Sequence, residues 1–475
     1  MSSSVTLPLY LFVALALLAL WALLVLLLAP SMRWFFRRRI NSVIRQVGAT
    51  LQVELPSFKL TRRQVLIDRL FHDAEVQAAA HTQALAGGLS KPEVMRRVDR
   101  YAREIVPSFN AYLYFRVGYA LARAVARALY RVRIGYADQE ALARVDPKST
   151  IVFVINHRSN MDYILVAFLA AERTALSYAV GEWARIWPLQ QLIRAMGAYF
   201  VRRNSGDPLY RAVLARYVQM AAEAGVTQAV FLEGGLSIDG GLRPPKLGLL
   251  DYMLRNFDAR EEAGRRDLVF IPVGINYDRV LEDRSQLRKR ADAAAQGAGA
   301  LRAGAVTLGF LLRQLGLLAR SRWHRFGYAC VNFGAPLSLR AYAREQQLHF
   351  AELETQARQD AIAALGTRLM HAIAAVIPVL PVSLVASLLV AEPQRRFSML
   401  ALKSAAFARL EALAASGAHL YVPRADQDYA VDVGLRTLTL RAMVREEDGL
   451  FQAVPAQLHA LAYYANAIAH LHAGP

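Results

Sequence analysis

The stretch Ile151-Val-Phe-Val-Ile-Asn-His-Arg-Ser-Asn-Met-Asp162 decides how the rest of this chain is interpreted. Its first five residues are apolar and mostly β-branched, which predicts a buried strand. A short polar turn begins at Asn156 and carries His157 and Asp162. The apolar run 163–171 then predicts the first turns of a buried helix. The stretch is therefore predicted to form a strand–turn–helix corner.

His157 and Asp162 meet only if the chain turns between them. On a regular helix their spacing would place the two side chains about 140° apart. At the end of a strand, a histidine whose far ring nitrogen bonds a carboxylate is a general base held in one tautomer. An aspartate that caps the helix beside an unrelated histidine is the alternative interpretation of the pair alone.

The composition indicates which partners suit the chain. It has 475 residues, 55% of them hydrophobic, and a net charge of +19. Such a protein suits an anionic membrane face and phosphate-bearing substrates, although a GC-rich coding sequence also raises the arginine content. Nucleic acid is disfavoured as a partner, because zinc-ligand spacing, a helix-turn-helix signature and a lysine-rich arm are missing from the sequence. Cys330, the only cysteine, excludes an intramolecular disulfide framework.

Residues 1–40 are predicted to be a transmembrane anchor with a basic flank. The stretch 8–29 has no charged residue and is long enough to span a bilayer as one helix. Four arginines between residues 33 and 39 follow it, and positive residues mark the cytoplasmic side. The sequence before it has no basic segment, and we find no small-x-small cleavage site, so an uncleaved anchor is favoured over a signal peptide. A buried helix is the alternative.

The remainder divides into three predicted regions. Residues 41–137 have a mixed helical pattern, and residues 346–475 read as a helical addition with a strand-rich patch near 435–444. Residues 138–345 alternate strand-like runs with helices, which indicates an α/β domain. Ligand sites in such folds gather at the carboxyl ends of strands. The predicted strands after the central corner lie at 176–180, 198–201, 228–232, 268–273 and 329–333.

Two segments allow more than one interpretation. Four arginines share one helical stripe that suits either a membrane interface or a solvated face packed on the domain, namely Arg116, Arg123, Arg127 and Arg131. The apolar stretch 372–391 contains Pro378 and Pro381, which favour a bent, protein-packed or monotopic segment over a second transmembrane helix. The stretch 303–318 is interrupted by Arg313.

Further polar motifs follow predicted strands. Arg202 and Arg203 suit a phosphate, because a guanidinium fork matches two oxygens at once. Gly234 and Gly235 would let backbone N–H groups approach an oxyanion, and Ser237 adds a hydroxyl. Glu233 is expected to pair with one of the two arginines. Surface cations and a ligand-free tight turn are the alternatives.

Other strand ends complete the predicted edge. The stretches 271–275 and 331–336 are expected to line the same edge as the histidine corner. The sequence contains no Gly-rich nucleotide loop, no cluster with metal-ligand spacing and no serine nucleophile elbow. We therefore expect neither a cofactor nor a metal.

Taken in order, these motifs resemble the membrane-bound glycerol-3-phosphate acyltransferases, within the larger superfamily defined by His-x4-Asp. The four acyltransferase blocks correspond to residues 156–162, 197–203, 231–237 and 271–273. Two later stretches, 331–338 and 461–470, resemble this branch in particular. The resemblance implies a glycerophospholipid-acyltransferase-like αβ domain with helical N- and C-terminal additions.

The resemblance also implies an activity. A fatty acyl group would pass from acyl-CoA or acyl-carrier protein to the sn-1 hydroxyl of glycerol 3-phosphate, giving lysophosphatidic acid for phospholipid biosynthesis at the inner (cytoplasmic) membrane. His157 would take the hydroxyl proton, and Asp162 would support its imidazolium. Arg202 or Arg203, with Ser237 or Lys246, would hold the phosphate, and Pro272 belongs to the fourth block. The acyl donor is a substrate, so no cofactor is implied.

The chain departs from the branch in its third block. Leu236 and Ile238 stand where basic residues are usual, and Arg243 and Lys246 just downstream are the candidate replacements. Ala465 also replaces an expected arginine. These changes leave open another acceptor alcohol or a lysolipid, and a catalytically silent membrane scaffold is a third hypothesis. The acyl chain length, the donor and the oligomeric state also stay open.

Overall fold

The protein is described by a computed structural model. The structure describes residues 56–170, 176–181, 189–202, 205–260, 266–287 and 326–471. The predicted anchor with its basic flank, Arg203 and the stretch 303–318 lie outside the described residues.

A mixed sheet of eight strands lies at the centre of the described part of the chain, in the order β1-β7-β6-β2-β5-β3-β4 with β8 paired to β6. From β6 to β4 every neighbouring pair is parallel, whereas β7 runs antiparallel to β6 and parallel to β1. The strands are β1 Arg131–Ala137, β2 Thr150–Ile155, β3 Ser177–Val180, β4 Tyr199–Phe200, β5 Gln228–Phe231, β6 Leu268–Tyr277, β7 Tyr328–Phe333 and β8 Leu337–Ser338.

Both faces of the sheet are covered, which explains the continuous apolar runs of its central strands. Along β2, Val152 and Val154 belong to a core shared with the N-terminal helices, whereas Ile155 belongs to a core shared with the C-terminal helices. The α/β domain and the strands after the central corner are thus confirmed, with β6 continuing beyond the predicted Val273 to Tyr277.

The prediction that residues 41–137 are helical is wrong for the last residues of that region. Arg131 begins β1, which pairs with β7, so the sheet starts on the N-terminal side of the predicted boundary at 138. Arg116, Arg123 and Arg127 are exposed and lie on helical turns, but Arg131 does not continue their stripe. The alternation of arginine with Val132 and Ile134 is the strand signal that the helical spacing concealed.

The prediction for residues 331–336 is wrong for its second half. Because β7 is antiparallel to β6 and Phe333 pairs with Val273, the chain after Phe333 runs away from the edge at which β2 and β5 end. A sequence pattern marks where a strand ends but not its direction in the sheet. Residues 334–336 therefore do not line the histidine corner.

Helices surround the sheet. They are α1 Ser57–Leu60, α2 Arg63–Phe71, α3 Ala74–Gly87, α4 Lys91–Ile105, α5 Tyr119–Leu129, α6 Gln139–Ala143, α7 Met161–Ala170, α8 Leu189–Ala195, α9 Pro208–Glu223, α10 Gly248–Leu254, α11 Leu339–Glu345, α12 Thr355–Ala375, α13 Pro381–Ala391, α14 Met399–Ala415, α15 Gln427–Leu440 and α16 Leu458–Ala465. A π-helical turn, Leu113–Gly118, precedes α5, and a small sheet joins β9 Phe397–Ser398, β10 Val444–Glu447 and β11 Leu450–Ala453.

The apolar stretch 372–391 forms the end of α12, a bend, and α13. Helix α13 is buried from Pro381 to Leu389, so the bent, protein-packed interpretation is confirmed. No helix in the described ranges is long and apolar enough to cross a membrane. The prediction of a strand-rich patch near 435–444 is wrong for the first half of that range. Leu435 and Leu438 are buried on α15, and the strands begin only at Val444.

The contact between α13 and α15 gives a first prediction. A Cβ placed on Gly434 of α15 would lie 2.5 Å from the carbonyl oxygen of Pro381 and 3.0 Å from Val385. Two backbones cannot separate without opening the core, so Gly434→Ala should lower the free energy of unfolding by about 1–3 kcal/mol. Gly248→Ala is the control, because a Cβ there meets nothing within 4 Å. Equal unfolding midpoints in urea for both variants would contradict this packing.

Candidate active site

The corner that carries His157 is fixed by the side chain of Asn156. Its amide donates to the carbonyl oxygen of Ile275 at 2.9 Å and accepts from the N–H of Ile275 at 2.8 Å. The buried side chain thus continues the bonding between β2 and β6 after β2 has ended. This pairing sets the direction in which the turn leaves the sheet.

The structure brings His157 and Asp162 together. His157 Nδ1 lies 3.0 Å from Asp162 Oδ2, and the two residues are 2% and 0% exposed. The same oxygen accepts the N–H groups of Arg158 at 2.7 Å and Ser159 at 3.0 Å. Asp162 Oδ1 accepts the hydroxyl of Tyr277 at 2.5 Å. Asp162 therefore organises its own turn and also holds the histidine.

The second ring nitrogen of His157 is left free to accept a proton. With Nδ1 donating to Asp162, Nε2 carries the lone pair, and no described residue bonds it. The imidazole packs 4.2 Å from the ring of Phe231 and 5.3 Å from that of Tyr163, measured between centroids. The geometry is that of a general base in a mainly aromatic setting.

Glu233 connects this corner to the turn after β5. Its Oε1 accepts the N–H of His157 at 2.8 Å, and its Oε2 accepts the N–H of Arg243 at 3.1 Å. The N–H of Ser237 in turn donates to the carbonyl oxygen of His157 at 2.8 Å. The expected ion pair with Arg202 is not formed, because the carboxylate is used to join two backbone segments.

The glycine turn exposes backbone donors. Gly234 has a φ of +66° and lies against Lys246, whose side chain would be 2.7 Å from a Cβ at that position. The N–H groups of Gly235 and Leu236 donate to no group of the described residues. The hydroxyl of Ser237 donates to the carbonyl oxygen of Gly241 at 2.6 Å and accepts from the N–H of Gly240 at 3.0 Å, so it is occupied within the turn.

The cationic residues predicted to hold a phosphate do not gather at one place in the structure. Arg202 forms a bidentate ion pair with Glu104, at 2.8 and 2.6 Å, which raises the pKa of the guanidinium. Arg243 is partly buried and donates to the carbonyl oxygen of Leu236 at 3.3 Å, while Lys246 is exposed. Pro272 lies inside β6, paired with Val154, and not at a strand end. Arg203 lies outside the described residues.

Three site residues were missed by sequence reasoning. Glu282 is buried and accepts from the hydroxyl of Ser159 at 2.8 Å and from the N–H of Asn160 at 3.1 Å. Tyr277 reaches Asp162 because β6 is longer than predicted. Arg158, only 2% exposed, lies beside the histidine. The sequence signal for Arg158 was its position within the central stretch, and nothing local pointed to Tyr277 or Glu282.

Comparison with known proteins gives two family matches. Residues 133–276 match the Acyltransferase model, and residues 312–475 match the model of the glycerol-3-phosphate acyltransferase C-terminal region. A glycerol-3-phosphate acyltransferase of Aeromonas hydrophila is 28% identical over 65% of this chain and 36% of its own length. One from Pseudomonas putida (strain W619) is 27% identical over 88% of this chain and 50% of its own length. The chain thus spans about a third to a half of these relatives.

A solved structure is also similar. The 1-acyl-sn-glycerophosphate acyltransferase of Thermotoga maritima matches 61% of this chain and 94% of its own, with 15% identity and a TM-score of 0.27.

The burial of Glu233 predicts a pH-dependent stability. Burial raises its pKa from 4.5 to about 7, with Asp162 adding to the shift and Arg158 opposing it. The folded protein then binds a proton that the unfolded chain releases, so this contribution to stability is full below about pH 4.5 and is lost as the pH rises through about 7. Glu233→Gln should flatten this part of the curve, measured as the free energy of unfolding between pH 4.5 and 8. Burial also raises the pKa of Glu282 and of Asp278 to about 7, so part of the pH dependence of stability should remain in the variant. A pH dependence equal to that of the wild type would refute the assignment to Glu233.

Proposed function

We propose that this chain, which belongs to the glycerol-3-phosphate acyltransferase family, transfers a fatty acyl group from acyl-CoA or acyl-carrier protein to the sn-1 hydroxyl of glycerol 3-phosphate. The observation that carries the proposal is the buried His157–Asp162 pair, 3.0 Å apart, within the region that matches the Acyltransferase model. The product would be lysophosphatidic acid.

His157 acts as the general base. Asp162 keeps the proton on Nδ1, so Nε2 accepts the proton of the acceptor hydroxyl as its oxygen attacks the thioester carbon. The new C–O bond gives a tetrahedral oxyanion, which collapses with cleavage of the C–S bond. The leaving thiolate takes the proton from the imidazolium. Acyl transfer is direct, so a nucleophilic serine or cysteine is not required.

The oxyanion needs donors aimed at it as the charge develops. The unbonded N–H groups of Gly235 and Leu236 are the candidates that the glycine turn supplies. Glu233 and Ser237 fix that turn to His157 through two hydrogen bonds, and Glu233 accepts a third from the N–H of Arg243. We assign these two residues a positioning role.

One observation favours a second acceptor. Leu236 and Ile238 supply no charge where the third block of the branch is usually basic, and Arg202 is engaged with Glu104. A different acceptor alcohol or a lysolipid would need fewer cations around its head group. Arg243 and Lys246 support the phosphorylated acceptor from the downstream side of the same turn.

Replacing the base tests the enzyme. Purified protein in detergent, offered palmitoyl-CoA or acyl-carrier protein with glycerol 3-phosphate, should form lysophosphatidic acid. His157→Ala should lower kcat about 100-fold or more, because a positioned base contributes that much. His81→Ala, on the exposed surface of α3, is the matched control and should keep wild-type turnover.

The outcomes separate the hypotheses. Folded wild-type protein that forms no product with either donor rules out glycerol 3-phosphate, and other alcohols and lysolipids would then be screened with the same pair of variants. Equal turnover of wild type and His157→Ala would contradict the catalytic assignment and favour a scaffold.

We also propose that the chain is held at the inner membrane by residues 8–29, with the catalytic domain on the cytoplasmic side and anionic lipids as partners. The uncharged stretch and the four arginines after it support this. Deletion of residues 1–40 should move acyltransferase activity from the pelleted membranes to the supernatant. Activity that still pellets with the membranes after the deletion would contradict an anchor in this segment.

A further inference from the structure

Arg158 is a buried guanidinium to which no counter-ion among the described residues is bonded. The residue is 2% exposed, and its Nε and Nη2 donate to no group of the described chain. Burying a charge in this way is costly unless an opposite charge meets it. Its backbone N–H donates to Asp162 Oδ2 at 2.7 Å, so the side chain starts directly beside the catalytic pair.

The C-terminal region supplies a second unsatisfied donor at the same place. The guanidinium carbon of Arg158 lies 5.4 Å from the centre of the Tyr463 ring, and the buried hydroxyl of Tyr463 has no hydrogen-bond partner among the described residues. Two kinds of donor, a cationic fork and a phenol, therefore lie together within one water-poor site.

Helix α16 is held in this position by the turn that carries the third acyltransferase block. A Cβ on Gly240, whose φ is +87°, would lie 1.8 Å from the carbonyl oxygen of Tyr463, so the two backbones touch. Asn466 donates to the carbonyl oxygen of Asp239 at 3.0 Å. The same turn is joined to His157 through Ser237. Tyr463 is therefore part of the site and not a remote surface residue.

We infer that Arg158 and Tyr463 form the subsite that binds the phosphate monoester of the acceptor. The inference deepens the proposed function and rests on it. A guanidinium presents parallel N–H donors to two phosphate oxygens, and a phenol donates to the third. The subsite would supply the charge that Leu236 and Ile238 do not.

The nearby carboxylates do not already serve as partners of Arg158. Glu233 accepts from the N–H groups of His157 and Arg243, and Glu282 accepts from Ser159 and Asn160. The electrostatic interaction between Glu233 and Arg158 favours the ionised forms of both groups although no hydrogen bond joins them. The directional donors of Arg158 and Tyr463 stay available for a ligand.

The test measures binding separately from turnover. Isothermal titration calorimetry with glycerol 3-phosphate, inorganic phosphate and glycerol would be run on the full chain and on Arg158→Gln, Arg158→Lys and Tyr463→Phe. Arg158→Gln should weaken both phosphate ligands about 10- to 100-fold, with Arg158→Lys intermediate because the charge stays and the fork is lost. Tyr463→Phe should weaken the binding of both phosphate ligands by a smaller factor. The titration with glycerol should give the same result for all variants as for the wild type.

Kinetics identify which phosphate is bound. In Arg158→Gln the KM for glycerol 3-phosphate should rise while the KM for the acyl donor stays constant. A rise confined to the donor would overturn the inference, because the anion would then belong to the coenzyme or carrier. A fall in kcat with both KM values constant would also overturn it and indicate a structural role.

Matched controls separate loss of the subsite from loss of stability. Arg441→Gln removes another buried guanidinium, one that is paired with Asp283, and Tyr464→Phe removes a neighbouring phenol that bonds the same aspartate at 2.6 Å. Both should lower the unfolding midpoint and leave phosphate affinity unchanged. Wild type that binds no phosphate refutes the subsite. Wild type that binds phosphate through Arg158 but transfers no acyl group refutes the proposed function and leaves the subsite standing.

Discussion

The carboxylate of Asp162 is the constraint on which the site depends. It receives four donors from three places: the imidazole of His157, two N–H groups of the turn, and the hydroxyl of Tyr277 at the end of β6. The imidazole bond fixes the ring orientation, the two N–H bonds fix the turn conformation, and the Tyr277 bond fixes the distance between turn and sheet. A buried carboxylate with this many bonds leaves the histidine a single orientation.

Much of this arrangement was predictable, because it is local. The apolar run before Asn156 and the apolar run after Asp162 fix a strand and a helix, and the polar residues between them have to form the turn. The glycines after β5 likewise indicate a turn with free N–H groups. Such features follow from a few consecutive residues, and the structure places them where the sequence predicts.

The features that sequence reasoning missed are non-local. The direction of β7 depends on pairing with β6, about which its own residues carry no signal, and β1 was hidden by an arginine spacing that also fits a helix. Arg202 was expected to bind a ligand, but Glu104, far away in the chain, occupies it. Arg158 was passed over because a charged residue in a turn is normally solvated. In the structure Arg158 is 2% exposed and lies beside the ring of Tyr463, a residue far away in the chain.

The close contact between Gly240 and Tyr463 has a consequence for synthesis of the protein. Translation produces the histidine corner long before residues 458–465, yet the third-block turn rests against the backbone of that later helix. A nascent chain that has emerged only to the end of the sheet carries the histidine and aspartate without the helix that packs against this turn and against Arg158. The third-block turn therefore reaches its final packing only after residues 458–465 have been synthesised.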